Sequence, residues 1–253
     1  MKYMLPRLGR KIVFPSCRLL PGVFFLGLVT LAGGYEVNRA ARFDGDYGLR
    51  ISVSSGLPRY VEDPTPMDET RYRCRFYFRL SQLALGEGEE LHLFHALDSG
   101  DAEQLRLVIQ KTAGQLRLRY EIRLNSGSYA VTPMGSEHLL GLGWHGLELD
   151  WRADTGDFSL TLDGTNAFEV MGLDNGDGSI DTVRLGAVNS PGAATGGAID
   201  VDAFQSKRRS DIGILCFELS HFNETIAAWP KDGADRLVVL LNHRCVTPFK
   251  TKP

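Results

Sequence analysis

The clearest periodicity in the chain lies at residues 71–79, RYRCRFYFR. Tyr72, Cys74, Phe76 and Phe78 fall on one side, and Arg71, Arg73, Arg75, Tyr77 and Arg79 on the other. A period of two over such a length predicts a β-strand with one buried face and one wet face. Strands of that kind belong to antiparallel sheets, because a parallel sheet is covered on both faces and its strands read as continuous apolar runs. Similar segments predict strands at 46–54, 90–96, 104–111, 115–123, 144–152, 158–163, 181–189 and 197–204. Nearly every break between them carries Gly, Asp, Asn or Pro, the residues that turns require. Thr112-Ala113-Gly114 predicts a hairpin between two of these strands. No helical periodicity of useful length occurs between 43 and 210.

Within 144–152, the phase groups His145, Leu147, Leu149 and Trp151 on one face. Trp151 is therefore a core candidate, His145 sits at the edge of the core, and Trp144 belongs at a rim. Cys74 shares the apolar phase of its strand and reads as a buried thiol. Many antiparallel strands, each with one apolar face, are covered most economically by a second sheet. The expected fold is an all-β, two-sheet antiparallel sandwich over residues 37–210.

Composition refines this picture only slightly. The 28 glycines suit a turn-rich β protein. A net charge of −3 gives no global field favouring nucleic acid, so no nucleic-acid partner is expected. Four cysteines are too few and too scattered for a disulfide scaffold. Cys216 and Cys245 could pair in an oxidising compartment, but spacing alone does not decide it.

Both ends differ from the middle. Lys2, Arg7, Arg10, Lys11 and Arg18 precede the apolar run 19–34, LLPGVFFLGLVTLAGG. Residues 1–36 therefore read as a signal-like leader or a membrane anchor, with an ordinary buried segment as the third alternative; the run is short of the roughly 20 apolar residues that span a bilayer. Residues 211–253 form a C-terminal extension with a second apolar run at 235–245, expected to pack on the sandwich or on a partner. Asn223-Glu224-Thr225 matches a glycosylation sequon by pattern.

Four segments carry a resemblance: DGDYGLRISV, DETRYRCRFYFRL at 68–80, WHGLELDWRADTG at 144–156, and DTVRLGAVNSPGAATGGAIDVDAFQSKR at 181–208. Together they resemble bacterial proteins with a concanavalin A-like, laminin-G-like jelly-roll domain. The resemblance covers about 43–210. It implies a jelly-roll sandwich of the concanavalin A-like lectin/glucanase type and is silent on activity; many such domains bind glycans or peptides.

Candidate chemistry is sparse. Glycosidases of similar fold place paired carboxylates on one strand face, about 5–5.5 Å apart in a retaining enzyme. The pairs available here are Glu148/Asp150 and Asp200/Asp202. Neither contains two glutamates, so no catalytic residue is assigned. NGDGSID at 175–181 has the look of a calcium loop but lacks the acidic first and twelfth positions, which favours a turn. No cofactor is expected beyond a structural calcium, for which Asp174, Asp200 or Asp202 are candidates. Simple alternation places His92 and His95 on opposite faces, and His138, His145, His221 and His243 are scattered, so a zinc site is not expected. Arg71, Arg73, Arg75 and Arg79 would form a basic patch with Arg117, Arg119 and Arg123 if their strands were neighbours. The simpler expectation is neutralisation by Glu89, Glu90, Glu121, Glu148 and Asp150. Tyr60, Tyr77, Tyr129, Trp144 and Trp229 are candidate sugar platforms, with no pair fixed by spacing.

The leader and tail favour a non-enzymatic structural or interaction protein, an accessory subunit with a protein partner in a membrane-associated or cell-surface assembly. A secreted glycan-binding module is the alternative, and a glycoside hydrolase a weaker third. The expected location is periplasmic, extracellular or membrane-associated.

Overall fold

A computed structural model describes residues 30–31 and 34–207. Cys216, Cys245, Trp229, His221, His243, the sequon, most of the leader and the 211–253 extension lie outside the described residues. The described strands, in chain order, begin with β1 (Thr30–Leu31), β2 (Tyr35–Asn38), β3 (Gly48–Ser54), β4 (Arg59–Asp63) and β5 (Arg71–Ala84). They continue with β6 (Glu90–Leu97), β7 (Glu103–Thr112), β8 (Gln115–Arg123), β9 (Tyr129–Val131) and β10 (His138–Leu140). The last are β11 (Trp144–Arg152), β12 (Asp157–Leu162), β13 (Thr165–Val170), β14 (Thr182–Ala187) and β15 (Gly196–Lys207).

Two antiparallel sheets form the sandwich. The eight-stranded sheet runs β1-β2-β3-β15-β5-β11-β12-β13, and the seven-stranded sheet runs β10-β8-β7-β6-β14-β4 with β9 beside β8. This is the expected all-β jelly-roll architecture. The apolar phase of each long strand turns inward. Tyr72, Phe76 and Phe78 of β5 share the core with Phe94 of β6, and Phe76 and Phe94 are stacked at 5.9 Å. Trp151 and Cys74 are fully buried, and His145 is buried at the end of β11. His145 Nδ1 lies 2.7 Å from Asp163 Oδ2, and its Nε2 lies 3.1 Å from the Gly141 carbonyl. The β7–β8 hairpin closes through Ala113 and Gly114, both at positive φ, which is the two-residue turn that matches strand twist.

The expected wet face of β5 is not wet. Arg73 and Arg75 retain 8% and 6% of their exposure and Tyr77 retains 3%. Arg73 donates to Asp150 at 2.6 Å, Arg75 to Gln205 at 3.1 Å, and Phe43 stacks on Tyr77 at 3.8 Å. A guanidinium leaves water only when its charge is matched, and here the neighbouring strands β11 and β15 supply the acceptors. The basic patch does not form either. β5 lies in the eight-stranded sheet, whereas Arg117, Arg119 and Arg123 lie on β8 in the other.

Candidate functional site

The outer face of the seven-stranded sheet gathers the titratable side chains. The register aligns Glu62 of β4, Arg184 of β14, His95 of β6, Arg106 of β7 and Glu121 of β8 into one row across five strands. His92, Val108 and Arg119 form the adjacent row. Opposite charges on neighbouring strands, Glu62 with Arg184 and Arg106 with Glu121, stabilise the sheet through cross-strand pairs.

A β-bulge makes the centre of this face. His92 pairs with Val108 and Phe94 with Leu107, leaving Leu93 as the extra residue. Leu93 and Phe94 are both fully buried. The added residue resets the alternation, so His95 returns to the same face as His92. The two imidazoles meet, with His92 Nδ1 2.8 Å from His95 Nε2 and ring centroids 5.0 Å apart. The expectation of opposite faces is therefore corrected. A single extra residue defeats a strict period of two, and the only sequence signal was the apolar pair Leu93-Phe94 between the histidines.

Charged groups surround the pair. His95 Nδ1 lies 3.2 Å from Glu103 Oε1, and Glu103 also accepts from Arg106 at 3.1 Å. Arg106 reaches Glu121 at 2.5 Å and lies over the Tyr129 ring at 4.2 Å. Arg119 bridges Glu90 at 2.8 Å and Glu121. Arg184 pairs with Glu62 at 2.8 Å and lies over Tyr60 at 5.0 Å; its second contact, to exposed Asp101, is 3.5 Å. Burial first, then His95 and Arg106, push the His92 imidazole down to about 4, so it is neutral at neutral pH. The bond from His95 is the leading cause that lowers the Glu103 carboxyl.

The expected carboxylate pairs are committed elsewhere. Asp150 accepts from Arg71, Arg73 and Arg152. Burial opposes its charge, but these bonds together outweigh that and hold the carboxyl well below the usual range. Asp200 is bound by Arg50 at 2.7 Å and Arg79 at 2.5 Å. Asp202 accepts the backbone N–H groups of Phe43, Asp44 and Ala203, while burial pushes its carboxyl up. Glu89 accepts from Thr195 and from the Ala194 N–H, which ties down the 192–195 turn, rather than facing the arginines. Asp174 and Asn125 clamp each other across a turn at 2.7 Å. Among the described residues no three His, Cys, Asp or Glu side chains stand as a metal-ligating group. Of the aromatic candidates, Tyr60 and Tyr129 belong to the histidine face. Trp144 instead covers Arg79 at 4.9 Å and Tyr77 is buried, both on the other sheet. A hollow lined by Asp150, Arg152, Asp157, Ser159 and Glu169 also lies on the eight-stranded sheet, away from the histidines.

No family model matches the chain, and no curated protein matches it. Solved structures do. The cellulose induced protein Cip1 is 16% identical with a TM-score of 0.53, over 74% of this chain and 92% of its own. An endo-β-1,4-glucuronan lyase from the fungus Trichoderma reesei is 15% identical with a TM-score of 0.51, over 70% and 87%. The alginate lyase AlyC3 in complex with dimannuronate is 8% identical with a TM-score of 0.50, over 72% and 80%. At these identities the likeness is one of fold: the chain has a jelly-roll sandwich related to those of several carbohydrate-active proteins. The laminin-G-like resemblance gains no support from them. The expectation of a non-enzymatic protein is corrected by these matches, since the proteins that share the fold include an endo-β-1,4-glucuronan lyase and an alginate lyase. Among the described residues no helix is long and apolar enough to cross a membrane.

Proposed function

We propose that this chain is an exported carbohydrate-active protein that binds an acidic polysaccharide on the outer face of its seven-stranded sheet and cleaves it by β-elimination, with His92 as the base. The observation that carries this reading is the partly buried, neutral imidazole of His92, bonded to His95, with Arg106 and Arg119 beside it and Arg184 across from His95. The named actions of two proteins of similar fold, a glucuronan lyase and an alginate lyase holding dimannuronate, point to uronate chains as the ligand class. The leader pattern at 1–36 supports export.

Chemically, a uronate carboxylate acidifies the hydrogen on the adjacent carbon. A base removes that proton, a C=C bond forms, and the C–O bond to the next sugar breaks. The proton ends on the departing oxygen, so only the polysaccharide is consumed. Arg184 is the best-placed carboxylate receptor: it lies directly across from His95, Glu62 holds its Nε at 2.8 Å, and its Nη2 makes only a long contact with exposed Asp101. Positive charge from Arg106 and Arg119 helps hold His92 below its ordinary value. A bound carboxylate would offset that charge and make His92 a stronger base once the site is filled.

The test is incubation with alginate and with glucuronan, following the ultraviolet absorbance of the new double bond conjugated to the carboxylate. The expected result is a rise with at least one polyuronate, reduced about 10²-fold or more by His92→Ala. No rise with any polyuronate, or equal rates for His92→Ala and the parent, would reject the reading.

A further inference from the structure

The geometry assigns Glu103 the role of a positioning residue, which through His95 fixes His92 in the tautomer whose Nε2 carries the free lone pair; this rests on the reading of His92 as the base. A neutral imidazole has one N–H, and the partner of one nitrogen decides the other. An ionised carboxylate only accepts, so the 3.2 Å contact between Glu103 Oε1 and His95 Nδ1 places a hydrogen on that nitrogen. In the neutral form of the His95 ring, Nε2 is then an acceptor. Its 2.8 Å contact with His92 Nδ1 is satisfied only if His92 carries its hydrogen on Nδ1. His92 Nε2 is left unprotonated, and Glu90 Oε2 stands 3.9 Å from it, beyond hydrogen-bond reach.

The surroundings are consistent with this order. The groups facing the pair are Glu90 from β6, Glu103 and Arg106 from β7, Arg119 and Glu121 from β8, and Arg184 from β14. The bond from His95, with added influence from Arg106, keeps the Glu103 carboxyl below its usual range and so ionised. When His92 takes a proton at Nε2, the charge is offset along His95 to Glu103, as a carboxylate–imidazole pair does for a base. Glu103 therefore never touches the substrate, yet it chooses which nitrogen does.

The test reads the tautomers directly. Two-bond ¹H–¹⁵N correlation spectra of the ¹⁵N-labelled full chain at neutral pH, without polysaccharide, resolve each imidazole nitrogen. The signals of the 6 histidines are assigned from His92→Gln and His95→Gln spectra. Both His92 and His95 are expected as Nδ1–H forms, the reverse of the form histidine prefers in water. An Nε2–H signal on His92 in the parent protein would overturn the assignment, whether or not variants fold. Glu103→Ala is expected to move both residues toward the Nε2–H form; unchanged tautomers would remove Glu103 from the role. Because no substrate is present, Nδ1–H spectra in a chain that cleaves no polyuronate would reject the activity and leave the relay standing.

Discussion

At the residue scale, two groups set how the protein responds to acid, and in separate windows. His92 is held to about 4 in the folded chain against 6.5 when unfolded, by burial first and then by His95 and Arg106. The unfolded chain therefore takes up a proton first, and stability falls as pH drops from about 6.5 to about 4. Asp150 is shifted the same way from a lower starting point. Its contribution is complete above the unfolded value near 4 and is lost as pH falls toward the lower folded value. Urea midpoints across this range are expected to show both slopes. His92→Gln flattens the upper window, and Asp150→Asn flattens the lower one while costing about 1.5–3 kcal/mol at pH 6 through weakened charged hydrogen bonds. An Asp150→Asn midpoint parallel to the parent below pH 4 would contradict the role given to its three arginines.

At the element scale, the long strands were legible and the edges were not. The predicted limits of 115–123 and 144–152 coincide with β8 and β11, because each alternates through a full buried face. β4, β9, β10 and β13 escaped the pattern. They are short, they lie at or beside sheet edges, and they bury few side chains, so nothing forces an apolar rhythm on RYVED or TNAFEV. The β6 bulge was hidden for the opposite reason: its strand was foreseen, but one inserted residue reversed the phase of the half that carries His95. β4 matters to the site because it brings Tyr60 and Glu62 to Arg184. It can approach β14 only because residue 186 is glycine. At φ 141°, a Cβ there would stand 2.6 Å from the Arg59 carbonyl oxygen and 2.8 Å from the Tyr60 Cα. Gly186→Ala is therefore expected to destabilise the fold by about 1–3 kcal/mol and to weaken polyuronate binding by displacing β4. A denaturation curve and a binding isotherm indistinguishable from the parent would show that the close approach is dispensable.

At the scale of the whole molecule, the two outer faces differ in kind. The eight-stranded sheet spends its arginines on Asp150 and Asp200, and Arg73, Arg75 and Tyr77 are buried there. The seven-stranded sheet keeps His92, Glu62, Glu90, Arg106, Arg119 and Arg184 in partial contact with solvent, around a buried His95 and Glu121. The arginine stripe at 71–79 was the loudest polar signal in the sequence and marks the structural face. The chemistry lies on a face whose members come from residues 60 to 184 and meet only through register. Local periodicity reports which side of a strand is apolar; which strands share a sheet is decided by the packed whole.

The most direct measurement is calorimetric titration of the full chain with alginate and glucuronan oligosaccharides, using Arg184→Ala and Arg71→Ala as a matched pair on opposite faces. The expected result is binding by the parent and by Arg71→Ala, with about tenfold or greater weakening in Arg184→Ala, the loss of one charge-assisted contact. Equal affinity in all three proteins, or weakening by Arg71→Ala alone, would place the polysaccharide away from the histidine face and contradict the site.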